Sequence, residues 1–465
     1  MSVFDLRLST AIALGKAAAA VSRVLGVGGG TTMPGRIARG VDPDIMRRLA
    51  TRLRYGSIVV SGTNGKTTTS RLIAHILGQA SLVSVHNRAG ANLAAGIVAA
   101  LVQHASLRGD LHGDIGIFEV DEATLPVVQT PLAPGAVVLT NLFRDQLDRY
   151  GEIDLVAARW RTALEALGEE SIVIFNADDP LVSEVGEHHR GTRIPFGIED
   201  DTCSLGTMEH AADARYCYRC GVPYHYATVY FGHMGVYRCH NCGWSRPAPA
   251  VTATEVMSRG IEGSEFTLRT PQGVSRVRTS LPGVYNIHNV LAAAACCSQM
   301  GVATETVVRG VETFAPAFGR AERVRLNGRD AILLLAKNPA GFNEVLRAVL
   351  RDAGGKVVLI AINDLTADGR DISWLWDVDF EMLAGSVRHV VVSGIRAEDM
   401  ALRLKYAGIP AQSMVVRANL RQALDAAVEA VDCGERLYIL PTYTAMLQLR
   451  RELQRRGHVR GFWEQ

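Results

Sequence analysis

The sequence predicts an α/β protein built as two successive units, and three observations carry that expectation. Short apolar runs alternate with helical stretches from residue 56 onward, the pattern of a parallel sheet with crossover helices. One run, Ile58-Val59-Val60, leads into Gly62-Thr63-Asn64-Gly65-Lys66-Thr67-Thr68-Thr69, and an apolar-periodic stretch from Ser70 to Leu77 leaves it. Two Cys-x-x-Cys-Gly knuckles then interrupt the alternation between residues 203 and 250. The expected architecture is a central phosphate-loop domain with a four-cysteine zinc-ribbon insertion, followed by a C-terminal α/β domain.

Composition narrows the class. At 465 residues the chain holds two or three domains, each large enough for its own core. A formal net charge of +2 gives no field that would imply nucleic acid. No apolar stretch approaches the roughly eighteen residues needed to span a bilayer. The alanine-rich segment from Ala11 to Val27 is interrupted by Lys16 and Arg23, so it reads as a helix and not as a signal peptide. Eight cysteines are too few for a disulfide scaffold in a chain of this length, which agrees with a reducing, cytoplasmic setting.

Taken in order, residues 1–55 form a helical leader of one or two helices, broken at Gly26-Val27-Gly28-Gly29-Gly30. The central unit spans 56–320, with strands expected at Ser57–Ser61, Ile115–Val120, Ala136–Thr140 and Ser171–Phe175. Its Gly62–Thr69 turn suits phosphate, because glycines let backbone N–H groups approach the oxygens and the helix N-terminus adds a positive end. Lys66 is expected to reach the terminal phosphates from a solvent-facing loop, with a threonine hydroxyl on Mg²⁺. Gly62, Asn64, Gly65, Lys66, Thr67 and Thr68 are therefore the candidate nucleotide-binding residues. Val60 stands where the common phosphate loop has a further glycine, so the pattern is a variant. At the carboxyl ends of the later strands lie Glu119-Val120-Asp121-Glu122, Thr140-Asn141 and Asn176-Ala177-Asp178-Asp179, where a parallel sheet binds its ligands. For Asp121 and Glu122, a metal-side role and a solvated helix start are equally compatible with the sequence.

The insertion between residues 203 and 250 carries Cys217-Tyr218-Arg219-Cys220-Gly221 and Cys239-His240-Asn241-Cys242-Gly243, with eighteen residues between Cys220 and Cys239. Four thiolates at this spacing suit tetrahedral Zn²⁺, with a glycine allowing the tight turn beneath each pair. Such a site is closed, so its expected role is structural. Past the insertion, Leu281 to Ala293 opens a helix at a glycine turn, and Gly319-Arg320-Ala321-Glu322-Arg323 precedes the C-terminal unit, 325–465. That unit repeats the alternation at Ala331–Leu335, Val357–Ile362, His389–Ser393 and Leu437–Leu440. Two polar stretches follow its strands, Lys337–Asn343 and Asn363–Asp377, and both fall at the ligand edge.

The variant loop, the Asn141–Tyr150 segment, the Asn286/Asn289 helix start and the Gly319–Arg323 segment together resemble the Mur ligase family, ATP-dependent enzymes that form amide bonds in cell-wall synthesis. The ribbon, the short leader and the C-terminal polar stretches resemble its MurT branch, over nearly the whole chain. The resemblance implies ATP and Mg²⁺ as cofactors and matches Glu119 to the family's metal-binding glutamate. It implies adenine contact by Asn286 and Asn289 and phosphate contact by Arg320. Two departures stand out, Gln146 and Tyr285, each where a histidine is usual. The implied reaction is amidation of the D-glutamate α-carboxylate in the lipid II stem peptide, through an acyl phosphate, with Lys66 and Glu119 catalytic. The amino-acid addition of Mur-like or folylpolyglutamate-type ligases is the alternative. No cysteine outside the knuckles sits in a nucleophile turn, so this chain is not expected to release ammonia from glutamine itself; the resemblance implies a GatD-type glutamine amidotransferase subunit as its source. By the same resemblance, Asp371 orients that partner's histidine, with Asp368 and Asp377 as alternatives.

Overall fold

The computed structural model describes residues 5–24, 32–87, 91–144, 153–210, 212–315, 320–352, 355–432 and 434–459. Seventeen strands are found among them. The first eleven are β1 (Ser57–Ser61), β2 (Ser84–His86), β3 (Ile115–Glu119), β4 (Ala136–Leu139), β5 (Ile172–Asn176), β6 (Thr192–Ile198), β7 (His225–Phe231), β8 (Met234–Arg238), β9 (Val251–Ser258), β10 (Ser264–Thr270) and β11 (Gly273–Thr279). The rest are β12 (Arg320–Leu326), β13 (Arg329–Leu334), β14 (Val357–Ala361), β15 (His389–Ser393), β16 (Met414–Val416) and β17 (Arg436–Pro441).

Nine strands form the first sheet, in the order β11-β10-β9-β6-β5-β4-β1-β3-β2. Every pair from β9 to β2 is parallel. β10 and β11 then add an antiparallel edge. The parallel strands are apolar runs because both sheet faces are covered. Alternate residues of β1 show this: Ile58 and Val60 face one core with the helices Lys66–Gln79, Val284–Gln299 and Thr304–Thr313. Val59 faces the other, with Leu101, Val128, Trp160 and Val182. The helix Val284–Gln299 is buried nearly all round, which explains its run of alanines and the fully buried Cys296 and Cys297.

The predicted strands of both units are present, shifted by a residue or so at some ends. The sheet nevertheless extends beyond the sequence expectation. β10 and β11 alternate buried and exposed side chains, a weaker signal than the continuous apolar runs of β1, β3 and β4. Leader helices Leu6–Val24, Met33–Val41 and Ile45–Ala50 share the Val59 core through Leu8, Ile12, Ala38, Ile45 and Leu49. The expected glycine break at Gly26–Gly30 lies outside the described residues.

A second sheet, β12-β13-β17-β14-β15-β16, is parallel except for the β12–β13 hairpin. Its two faces have separate cores, with Val358 and Ile360 on one and Val357, Leu359 and Ala361 on the other. β7 and β8 form a separate two-stranded ribbon, with one cysteine knuckle before β7 and the other after β8. No described helix is long and apolar enough to cross a membrane.

Candidate active site

Sheet register builds the site. Val60 pairs with Glu119 on one side and Val138 on the other, so β1, β3 and β4 end side by side. The loop after β1 is then clamped by the strand ends beside it. The backbone N–H of Asn64 donates to Asn141 Oδ1 at 2.8 Å, and Asn64 O accepts from Thr140 Oγ1 at 2.7 Å and Asn141 Nδ2 at 3.1 Å. Gly65 has φ +87°, and any Cβ there would run into Asn289 Oδ1, so this position admits only glycine without strain. The helix Lys66–Gln79 starts immediately after it, so the positive end of the helix lies at the loop.

Lys66 is 6 % exposed, which corrects the expectation of a solvent-facing lysine. Its Nζ donates to Gly62 O, to Thr63 O at 3.2 Å and to Glu122 Oε2 at 3.1 Å. A buried ammonium must be matched by acceptors, and the loop's carbonyls and this carboxylate match it. Glu122 is thereby removed from the reading as a solvated helix start, and Asp121 is buried as well. The side-chain position of Glu122 depends on its backbone, whose carbonyl accepts from the fully buried Trp160 Nε1 at 2.8 Å.

Glu119 ends β3 beside this pair and is buried. Asn87, which sequence reading missed, brackets it: Glu119 N–H donates to Asn87 Oδ1 at 2.9 Å and Asn87 Nδ2 donates to Glu119 O at 2.8 Å. The second unit approaches the same corner. Burial first, then the charges of Glu119 and Asp368, push the Tyr443 phenol up from its ordinary value. Asn338 caps the helix Pro339–Leu350 by accepting from Gly341 N–H at 2.9 Å, while its Nδ2 donates to Asn64 Oδ1 at 2.9 Å.

Asn286 and Asn289 sit at the start of the helix Val284–Gln299, against the loop's far side. Asn289 Nδ2 donates to Asn286 Oδ1 at 2.9 Å, Asn286 Nδ2 to Pro282 O at 2.7 Å, and Thr69 Oγ1 to Asn289 Oδ1 at 3.3 Å. The structure thus gathers Gly62, Asn64, Gly65, Lys66, Glu119 and Asn289 into one corner. Thr67 and Thr68 begin the helix beside them. Arg320 opens β12, but its side chain and Gln146 lie outside the described part of the structure.

Asp178 and Asp179 are fully buried and structural, against their reading as a ligand edge. Asp178 accepts from Arg246 Nε at 2.6 Å, Ile198 N–H at 2.9 Å and His288 Nε2 at 2.7 Å. Asp179 caps the helix Pro180–Gly186 and accepts from Leu142 N–H at 2.8 Å. Sequence position alone could not separate these carboxylates from Glu119.

The four knuckle cysteines form a cluster whose Sγ atoms all lie within 4.8 Å of one another. Sγ separations are 3.6 Å for Cys217–Cys242 and 3.4 Å for Cys220–Cys239, too long for disulfides. The knuckles are built alike: Gly221 N–H returns to Cys217 O at 2.7 Å and Gly243 N–H to Cys239 O at 3.0 Å. Both glycines have positive φ, +74° and +77°. Arg219 stacks on Trp244 across the pair at 3.7 Å.

The three candidate aspartates differ. Asp371 is exposed, and its Oδ1 accepts from Ser373 N–H at 2.8 Å. Asp368 is buried and held by Thr444, accepting from its N–H at 2.8 Å and from its hydroxyl. Asp377 lies 3.8 Å from Arg144, both partly exposed.

Comparison with known proteins agrees with this geometry. Residues 60–242 match the Mur ligase middle domain and residues 335–446 match the MurT ligase C-terminal domain. The chain is 34 % identical to the lipid II isoglutaminyl synthase (glutamine-hydrolyzing) subunit MurT of Staphylococcus aureus strain COL, over 97 % of this chain and 98 % of that one. It is 31 % identical to the same-named subunit of Streptococcus pneumoniae, over 93 % and 94 %. Among solved structures, MurF from Thermotoga maritima in complex with ADP aligns with TM-score 0.63 at 13 % identity, covering 90 % of this chain and 85 % of that one. Folylpolyglutamate synthase from Mycobacterium tuberculosis aligns with TM-score 0.58 at 16 % identity, covering 96 % and 95 %. With a Mur-type loop on the first sheet and a MurT-type second sheet, the chain belongs to the MurT family of Mur ligases.

Proposed function

We propose that this chain is the ATP-using ligase subunit that amidates the α-carboxylate of D-glutamate in the lipid II stem peptide, giving D-isoglutamine. The observation that carries this reading is the loop after β1, in which Lys66 pairs with Glu122 beside the end of β3 and Asn64 meets Asn338 of the MurT-type second unit. A carboxylate resists attack until one of its oxygens becomes a leaving group. Its oxygen takes the γ-phosphoryl group of ATP and ADP departs. Ammonia then attacks the acyl carbon, the C–O bond to phosphate breaks, and an amide and inorganic phosphate remain. In this reading Gly62, Asn64, Gly65, Lys66, Thr67 and Thr68 hold the phosphates, and Asn286, Asn289 and Arg320 hold the rest of the nucleotide. Lys66 spreads the charge that builds on the transferring group, turning from Glu122 toward phosphate. Glu119 and a loop threonine would hold Mg²⁺, which neutralises phosphate charge when bound.

The domain division follows the same reading: a helical leader, a nucleotide-binding middle unit with the ribbon inserted, and a C-terminal unit. Cys217, Cys220, Cys239 and Cys242 would hold a structural Zn²⁺. Tetrahedral thiolates at 2.3 Å bonds have sulfurs about 3.8 Å apart, close to the separations here. Glutamine is hydrolysed by a separate GatD-type amidotransferase subunit, toward which Asp371 is the candidate contact. The site lies in the cytoplasm, where ATP and the precursor meet.

The test is turnover of ATP with a lipid II substrate, followed by mass spectrometry of the stem peptide. Amidation with an ammonium salt alone is expected. ADP formation that requires an amino acid, with that amino acid joined to the product, would replace this function with the folylpolyglutamate-type alternative.

A further inference from the structure

The geometry points to the outer face of the helices Leu6–Val24 and Met33–Val41 as a membrane-surface contact that takes an anionic lipid bilayer. The inner faces of both helices are already used. Leu8, Ala11, Ile12 and Ala38 are buried against the first sheet's helices, and a Cβ at Gly15 would crowd Val102 and Pro34. The outward positions of a surface helix are ordinarily polar. Here they include Leu6, Leu14 and Val21 on the first helix, at 72 %, 46 % and 57 % exposure, and Met33 and Ile37 on the second. Ala13, Ala17 and Ala20 lie between the first three, so the exposed side of that helix is mostly apolar, with Thr10 among them bonded back to Leu6 O and Arg7 at its border.

Charge selects the occupant. Neither helix contains an aspartate or glutamate, whereas Arg7, Lys16, Arg36 and Arg39 are at least partly exposed along them. The flanking acids are each matched by an arginine: Asp5 and the buried Asp42 pair with Arg48, and the exposed Asp44 pairs with Arg47. Exposed apolar side chains bordered mainly by cations match the boundary between headgroups and acyl chains of an anionic leaflet. Neither helix is apolar enough to cross it, so the contact lies on the surface. The inference deepens the proposed function, since a lipid-linked stem peptide is presented at such a surface, but binding can be read without turnover.

The experiment is flotation of the purified full chain with vesicles of phosphatidylglycerol and phosphatidylcholine, against phosphatidylcholine alone. Binding to the anionic vesicles only, weakening with salt, is expected. Leu14→Glu/Val21→Glu and Arg36→Glu/Arg39→Glu should each weaken it by about tenfold or more, with unchanged circular dichroism. Both variants should amidate a soluble short-chain lipid II analogue as well as wild type. Absence of wild-type binding, or binding undiminished in both variants, would overturn the surface. So would self-association of wild type, or capture of the glutaminase subunit, that Leu14→Glu/Val21→Glu abolishes, because the face would then belong to a protein. Specific vesicle binding by a chain that amidates no analogue would support the surface and bring down the function.

Discussion

Asn338 caps a helix of the second unit and, with the same side chain, donates to Asn64 in the glycine loop after β1 at 2.9 Å. One carboxamide therefore does two things. Its oxygen completes a helix N-terminus and accepts from Asn64 Nδ2 at 3.4 Å, and its nitrogen supplies the shorter bond to Asn64, 274 residues away in sequence.

Asn338→Asp should keep the cap and lose the donor to Asn64. The expected result is a melting temperature near wild type with reduced ATP turnover. Asn338→Ala should lose both, at a stability cost of about 1 kcal/mol. Equal turnover in Asn338→Asp and wild type would remove the contact from the mechanism.

Lys66→Ala should abolish amidation and also destabilise the fold, by about 3 kcal/mol, because it breaks the buried Lys66–Glu122 pair. Lys66→Ala/Glu122→Gln should recover most of that stability and none of the activity. Calorimetry and ADP release measure the two effects separately. A Lys66→Ala chain as stable as wild type would contradict the buried pair.

Zinc analysis of freshly purified protein should give one ion per chain, and Cys239→Ser should lose it. Strong chelation should lower the melting temperature without first inhibiting ATP turnover at low temperature, because a closed four-thiolate site has no open position for substrate. Metal-free wild-type protein of full stability would end the zinc assignment.

Acid should act through Asp178. Burial opposes its charge, yet Arg246, His288 and the Ile198 N–H outweigh that and hold its carboxyl below the usual carboxylate range. A depressed carboxyl contributes stability above its unfolded value, and that contribution is lost as pH falls through the lower folded value. Asp178→Asn should therefore be much less stable than wild type near neutral pH, and the gap should narrow toward about pH 3. Unfolding midpoints across that range check it, and a constant gap would count against the network.

Asp371→Asn should lower glutamine-dependent amidation in the complex with the glutaminase subunit and leave ammonium-dependent amidation intact. Its exposure suits a partner-facing role, whereas Asp368 is engaged by Thr444. An effect on the ammonium-dependent rate as well would assign Asp371 to the local Ser373 turn alone.

What the sequence by itself determined is what contiguous residues encode. A strand, a glycine turn and a helix N-terminus lie within about twenty residues, so the strand–turn–helix of the candidate phosphate loop is legible locally. The knuckles are equally local, since each pair of cysteines and its glycine share one turn. Tertiary structure alone decided what the strand-end carboxylates do. Glu119, Glu122, Asp178 and Asp179 all follow apolar strands, yet two border the loop and two are locked among Arg246, His288 and a helix cap. The same holds for Lys66, for Asn64 with Asn338, and for the apolar outer face of Leu6–Val24. Periodicity shows that a helix has apolar sides, but only the packing of one sheet's layers decides which side is covered and which charges end up beside each other.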